Sequence, residues 1–62
     1  MTLNIDDEVV CLNGSIDKGR GKGEVGTIVG FSRLSSYHPR EAMVKIDNTF
    51  SGWFWESDLL KK

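Results

Sequence analysis

Residues 22–31 read KGEVGTIVGF and carry the strongest fold signal in this chain. From residue 25 onward this stretch is rich in β-branched side chains, which favour an extended backbone. Gly26 and Gly30 are each an even number of residues from Ile28, so in a regular strand all three share one face. Glycine inside a strand is costly unless the backbone bends sharply or lies close against another strand. We therefore predict a strongly bent strand, as a small closed barrel requires.

Three further apolar runs, with turn signals between them, extend this pattern along the chain. They cover residues 8–12, 42–47 and 53–55, and the main loops between runs cover residues 15–24 and 33–40. No segment has the 3.6-residue apolar period of a helix. Ser57 suits the cap of a single 3-10 turn, after which the chain can add a last short strand. The chain is therefore predicted to be all-β, a five-stranded barrel with a short 3-10 turn before the last strand, and one domain over residues 1–62.

Length and cysteine content restrict the class of protein. A chain of 62 residues buries a small core, and its single cysteine, Cys11, allows no internal disulfide. The thiol lies in an apolar run, where a buried cysteine in a reducing compartment is expected. The acidic residues 6–8 do not resemble a secretion signal, and no apolar run approaches the roughly 20 residues that span a bilayer. We therefore expect a soluble, cytoplasmic protein with no membrane partner.

Two parts of the chain resemble the KOW-type motif of SH3-like barrels. Asp7-Glu8-Val9-Val10-Cys11, a loop and then residues 22–31 are similar to the acidic first strand, the Lys-Gly loop end and the Gly-x-Ile of that motif, with Gly26 and Ile28 at the matching positions. Residues 54–59 are similar to the close of such barrels, where a strand aromatic precedes an acidic residue and a leucine. The resemblance implies an SH3-like barrel that binds RNA, DNA or protein in transcription and translation, or a docking subunit of a larger enzyme. The Ala-Leu-Tyr-Asp-Tyr stretch of signalling-type SH3 domains is absent, which argues against binding of proline-rich peptides.

Charge is unevenly distributed along the chain, although the formal net charge is only −1. The first 17 residues carry four acidic side chains and no basic one, whereas residues 18–45 carry six basic and two acidic side chains. A net charge near zero argues against strong non-specific binding to nucleic acid. The basic middle segment contains two long loops, so it has the charge for one basic surface.

The run Trp53-Phe54-Trp55 supplies the first candidate binding residues. If Phe54 points into the core to meet Leu59, strand alternation turns both indole rings outward on one face. Exposed aromatic side chains favour association, so the pair would form a platform for a partner. The alternative is that the long loops cover one or both rings, which then complete the core, because a small domain depends on its large aromatics for stability.

The loops supply the remaining candidate residues around that platform. These are Tyr37, Lys18, Arg20, Lys22, Arg33 and Arg40. Tryptophan, tyrosine and arginine are common hot spots of protein interfaces. Basic groups that meet phosphates, beside rings that stack on bases, suit nucleic acid as well. A third interpretation takes the basic, glycine-rich run at residues 18–22 as a solvated flexible loop.

Catalysis and metal binding lack the residues that they need. The chain has one histidine, His38, and one cysteine, Cys11, 27 positions apart on different predicted elements. Structural zinc typically takes four cysteine or histidine ligands, and the acidic trio at residues 6–8 does not have the spacing of a calcium loop. We therefore predict no enzyme activity, no metal and no cofactor.

These observations lead to two functional hypotheses. The first is a non-catalytic binding or adaptor module that docks on a protein partner through Trp53, Trp55, Tyr37 and nearby basic residues. The alternative is a KOW-like domain that binds RNA or DNA through residues 18–22, Arg33 and Arg40. The chain is expected to be a monomer, or a weak homodimer if the tryptophans of two copies associate.

Overall fold

The computed structural model describes residues 2–33, 35–47 and 50–62, and its strands form one antiparallel sheet. The strands are β1 (Glu8–Cys11), β2 (Val25–Ser32), β3 (Glu41–Asp47), β4 (Phe50–Trp55) and β5 (Leu59–Lys61), with a 3-10 turn over Glu56–Asp58. Their order across the sheet is β4-β3-β2-β1-β5. The predicted all-β class, the five strands and the turn before the last strand are confirmed. Within the described ranges, no helix has the length and apolar character needed to cross a membrane.

The sheet is open, because its two outermost strands, β4 and β5, do not pair with each other. Strand pairing alone therefore does not close the sheet into the predicted barrel. Strand β4 is also longer than the predicted run at residues 53–55, since it begins at Phe50. The two edges have different surroundings, and this difference affects how each can interact.

The outer edge of β4 is covered by the β1–β2 loop. The backbone N–H of Ile16 donates to the Trp53 carbonyl oxygen at 2.7 Å, and the Trp53 N–H donates to Asp17 Oδ1 at 3.1 Å. The Lys18 ammonium donates to the Ser51 carbonyl oxygen at 2.7 Å. These contacts pair backbone groups that an edge strand would otherwise leave open. The loop contains no strand, as predicted, but these hydrogen bonds hold it against the sheet.

The core lies on one side of the sheet. Its fully buried residues are Val9, Cys11, Ile28, Ala42, Val44 and Phe54, and Leu3, Phe50 and Leu59 complete it. Strand alternation explains this set, because β1, β3 and β4 each contribute every second residue. The expected burial of Cys11 is confirmed.

A β-bulge in β2 changes the face on which the later part of that strand points. Pairing with β3 runs from Ile28↔Val44 directly to Gly30↔Met43, so Val29 is the additional residue. Gly30 therefore lies opposite Met43 on the face away from the core. The expectation that Gly26 and Gly30 both share the face of Ile28 is wrong for Gly30, because a bulge shifts the alternation by one residue.

The two glycines of β2 consequently have different surroundings. A Cβ atom at Gly26 would lie 2.5 Å from Val44 Cγ1 and 2.9 Å from the carbonyl oxygen of Lys45. A Cβ atom at Gly30 would meet no atom within 4 Å. Gly26 thus permits the close approach of β2 to β3, whereas Gly30 leaves an uncovered area on the outer face.

We expect Gly26→Ala to lower the free energy of unfolding by about 1–3 kcal/mol, since the added methyl group overpacks the contact with Val44. Gly30→Ala should be neutral or stabilising by up to about 1 kcal/mol, because it enters open space and restricts the unfolded chain. Urea unfolding followed by tryptophan fluorescence measures both. Equal losses in the two variants would contradict the assignment of the glycines to opposite faces.

Candidate functional site

The tryptophans lie on the face of β4 that points away from the core. Phe54 is fully buried, and Leu59 is buried in the same core cluster. Trp53 and Trp55 flank Phe54 in sequence and are each partly buried on the opposite face. Their outward orientation is therefore confirmed. Each tryptophan keeps part of its surface in solvent, so the loops do not seal either of them into the core.

Strand register places two more side chains beside the tryptophans. Trp53 is opposite Met43 and Trp55 is opposite Glu41 on β3. Side chains in such cross-strand pairs have Cβ atoms about 5 Å apart. Met43 is itself partly buried. The outer face of β3 and β4 therefore presents two indole rings and a thioether as neighbours.

Gly30 adds an uncovered area next to these side chains. It pairs with Met43 from the β2 side, so Gly30, Met43 and Trp53 form one row across three strands. A side chain at Gly30 would meet open space. We call the surface formed by Gly30, Met43, Trp53 and Trp55 the tryptophan face. Sequence reasoning missed Met43, although its alternation with the buried Ala42 and Val44 was a usable signal.

Two of the predicted basic residues are engaged with one aromatic ring at the start of β4. The guanidinium carbon of Arg20 lies 4.4 Å from the centroid of the Phe50 ring, and the Lys18 ammonium lies 5.3 Å from it. Cations held over an aromatic ring stabilise the contact by about 0.5–2 kcal/mol. Lys18 and Arg20 thus fix the β1–β2 loop to the sheet, which corrects the picture of this run as a wholly flexible loop.

Arg40 occupies the other end of the sheet and is also engaged within the protein. Its guanidinium carbon lies 3.9 Å from the centroid of the Phe31 ring. It forms a salt bridge with Glu56 and donates to the carbonyl oxygen of Leu3 at 3.5 Å. Arg40 therefore joins the N-terminal segment, β2 and the 3-10 turn, and this structural role limits its use as a free ligand-binding cation.

The remaining candidates are solvent-exposed. Tyr37 is 96% exposed in the β2–β3 loop, at the end of the sheet where β4 finishes. Within the described part of the chain, the side chains of Lys22 and Arg33 form no hydrogen bond or ion pair. These two residues flank opposite ends of β2, whose eight residues extend over at most about 25 Å. The predicted basic residues therefore do not form one continuous surface.

Cys11 and His38 do not form a catalytic arrangement. Burial raises the pKa of the Cys11 thiol from 9.0 to about 11, and the negative charge of Glu24 acts in the same direction. A thiol of this kind is a poor nucleophile at neutral pH. The Nδ1 atom of His38 lies 2.8 Å from Ser35 Oγ within the exposed β2–β3 loop. Among the described residues, no group of three or more acidic, histidine or cysteine side chains could hold a metal ion.

Searches of protein-family models, of curated proteins and of solved structures found no match to this chain.

We expect Arg40→Met to lower the free energy of unfolding by about 1–2 kcal/mol, because methionine keeps an apolar stem but loses the contacts to Phe31 and Glu56. Arg33→Met is the matched control and should change it by less than about 0.5 kcal/mol. Chemical denaturation of both variants measures the difference. Similar losses in the two variants would contradict the structural role of Arg40.

The raised pKa of Cys11 predicts a loss of stability at alkaline pH. Above pH 9 the unfolded thiol releases its proton, whereas the folded thiol keeps it until about pH 11, so the native state binds more protons in this range. The contribution is fully present below pH 9 and is lost as the pH rises to about 11, by at most about 3 kcal/mol. Cys11→Ala should be less stable overall, but its free energy of unfolding should not show this fall between pH 9 and about 11. Parallel curves of unfolding free energy against pH for the two proteins would contradict the prediction.

Proposed function

We propose that the chain is a non-catalytic binding or adaptor module that docks a protein partner on the tryptophan face. The observation that carries this proposal is the row of partly exposed apolar side chains next to Gly30. Aromatic residues and methionine are enriched at protein interfaces, and buried aromatic anchors contribute much of their affinity. The open area at Gly30 gives a partner side chain access to Met43 and Trp53. Tyr37, which is 96% exposed in the loop at the end of the sheet where β4 finishes, is a further candidate contact.

The placement of the cations favours a protein partner over nucleic acid. Binding to phosphates requires several free cations along one surface. Lys18 and Arg20 lie over Phe50, and Arg40 is paired with Glu56. The free cations of Lys22 and Arg33 flank opposite ends of β2. Binding of RNA or DNA by a KOW-like domain is accordingly the second proposal, and salt dependence separates it from the first.

The same proposal includes an SH3-like barrel as the finer description of the fold. Its support is the set of contacts by which the β1–β2 loop covers β4, together with the bulge in β2 and the 3-10 turn before β5. Bulges bend strands and allow a small sheet to wrap around its core. The resemblance to the KOW-type motif points the same way. A cytoplasmic location is proposed on the buried, unpaired thiol of Cys11.

The docking proposal is tested by affinity capture from the cells in which the protein occurs, followed by titration with the purified captured protein. Trp53→Ala combined with Trp55→Ala should weaken binding at least about 30-fold, as expected for hot-spot residues. Gly30→Arg should weaken it similarly, since the new side chain projects into open space on the same face. Lys22→Ala is the matched control and should bind as the unchanged chain does. Full binding by Gly30→Arg and by the double variant would contradict docking on this face.

The nucleic-acid alternative is tested with single-stranded RNA and duplex DNA at low salt. If the docking proposal is correct, neither quenches tryptophan emission, and the affinity for the captured protein changes little with added salt. Binding to either nucleic acid that weakens steeply with salt and is lost in Lys22→Ala or Arg33→Ala would overturn the docking proposal in favour of the alternative.

A further inference from the structure

The two edges of the sheet differ in their cover. The outer edge of β4 is occupied by residues 16–18 of the β1–β2 loop. In the described part of the chain, no segment pairs with the outer edge of β5. An open strand edge is a template for pairing with another chain. This second surface is separate from the tryptophan face, so its role is independent of the docking proposal.

The hydrogen bonds between β5 and β1 show which groups of β5 point outward. The Leu12 N–H donates to the Asp58 carbonyl oxygen at 2.7 Å, and the Lys62 N–H donates to the Glu8 carbonyl oxygen at 2.9 Å. In an antiparallel ladder the backbone of every second residue bonds to the partner strand, so the backbone N–H and carbonyl oxygen of Leu60 also point toward β1. The residues between them, at positions 59 and 61, therefore direct their backbone groups away from β1.

Two of these outward groups are available for pairing. The Leu59 N–H already bonds to the carbonyl oxygen of Glu56 at the end of the 3-10 turn. The carbonyl oxygen of Leu59 and the N–H of Lys61 have no partner among the described residues. They are two residues apart on the same edge, which matches the repeat of an antiparallel strand.

We propose that β5 pairs with β5 of a second copy of this chain, antiparallel and across a two-fold axis at Leu60. In this register the Lys61 N–H of each copy donates to the Leu59 carbonyl oxygen of the other. The two equivalent hydrogen bonds join two five-stranded sheets into one continuous sheet. A two-fold axis makes the contact self-complementary and closed, so it produces a dimer and no fibre.

The side chains of the outer face fit this register. Val25, Val10 and Leu60 are neighbours across β2, β1 and β5. Val25 is 37% exposed and Leu60 is 52% exposed, so this aliphatic row ends in an uncovered leucine at the sheet edge. The two-fold axis places Leu60 opposite Leu60 of the second copy, which continues the row without interruption.

The charged side chains are compatible with the same register. Each of them also has a partner within its own chain: Lys62 pairs with Glu8 at 3.6 Å, Lys61 pairs with Asp7 at 3.7 Å, and Asp58 Oδ1 accepts from the Asn13 side-chain amide at 3.0 Å. With Leu60 on the axis, Lys62 lies opposite Asp58 of the second copy, and each interface contains this pair twice. The other register that uses the outward N–H of Lys61 places Lys61 opposite Lys61 of the second copy. Like charges directly opposite each other destabilise a strand pair. The register centred on Leu60 is therefore the favoured one.

A cleft borders this edge. An open cleft of about 390 Å³ is lined by residues 59–61 of β5, by Thr2 and Leu3, and by Arg40 with the 3-10 turn. The contact is small, because β5 has only three residues. Interfaces well below about 1,200 Å² are typical of weak, transient complexes. We therefore expect a dissociation constant of about 1 mM.

Amide exchange of the full chain, measured by NMR at increasing protein concentration, tests the pairing. At this affinity the Lys61 amide should exchange about twofold more slowly at about 2 mM than at about 0.05 mM, because more of it is hydrogen-bonded in the dimer. The amides of Leu60 and Lys62 bond to β1 in the monomer and should change little. A Lys61 exchange rate independent of concentration would overturn the proposal.

Variants separate this interface from other modes of association, with translational diffusion as the readout. Leu60→Glu places two carboxylates at the axis and should make the diffusion coefficient independent of protein concentration. Because the Leu60 side chain is half exposed, this substitution should leave the fold intact. Lys61→Pro removes the outward N–H without touching the ladder to β1 and should act in the same way. Trp53→Ala should leave the concentration dependence intact. Its loss in Trp53→Ala and retention in Leu60→Glu would show self-association through the tryptophan face and overturn the proposal.

Discussion

The burial of Phe54 is the constraint on which the rest of this molecule depends. Its ring is fully buried, and it packs so closely against the β1–β2 loop that a Cβ atom at Gly21 would lie 2.9 Å from Phe54 Cζ. Gly21 has a φ of 101°, so both its backbone conformation and this contact require glycine. Because side chains alternate along a strand, the burial of Phe54 turns Trp53 and Trp55 outward. The candidate site thus follows from a packing requirement of the core.

The basic residues show how the loops are held to so small a core. Arg40 lies over Phe31, and Lys18 and Arg20 lie over Phe50, so each end of the sheet has an aromatic ring covered by cations. Such side chains cover apolar surface with their aliphatic stems, and their charged ends lie over aromatic rings. The outer face of β3 and β4 carries Trp53, Trp55 and Met43, with the charged side chains of Glu41 and Lys45 on either side of Met43. The surface available to a partner is therefore less basic than the sequence indicates.

Local patterns in the sequence predicted the strands, the 3-10 turn and the burial of Cys11. They also predicted that Phe54 of β4 points into the core while its two neighbours point outward. Each of these features depends on residues that are close together in sequence. The predicted face of Gly30 was wrong, since nothing in the order of residues 25–31 marks Val29 as the bulged residue. The roles of Lys18, Arg20 and Arg40 were also not predictable. They depend on rings that are distant in sequence, and strand pairing alone brings those rings close.

Both indole rings are held on the outer face, partly open to solvent, while Phe54 fills the core. The most direct measurement is acrylamide quenching of tryptophan fluorescence in Trp53→Phe and Trp55→Phe, each of which keeps one indole. We expect each native variant to be quenched clearly, but less than the same variant unfolded in urea. A native variant whose emission is blue-shifted and resistant to acrylamide would place that indole in the interior and contradict its outward orientation.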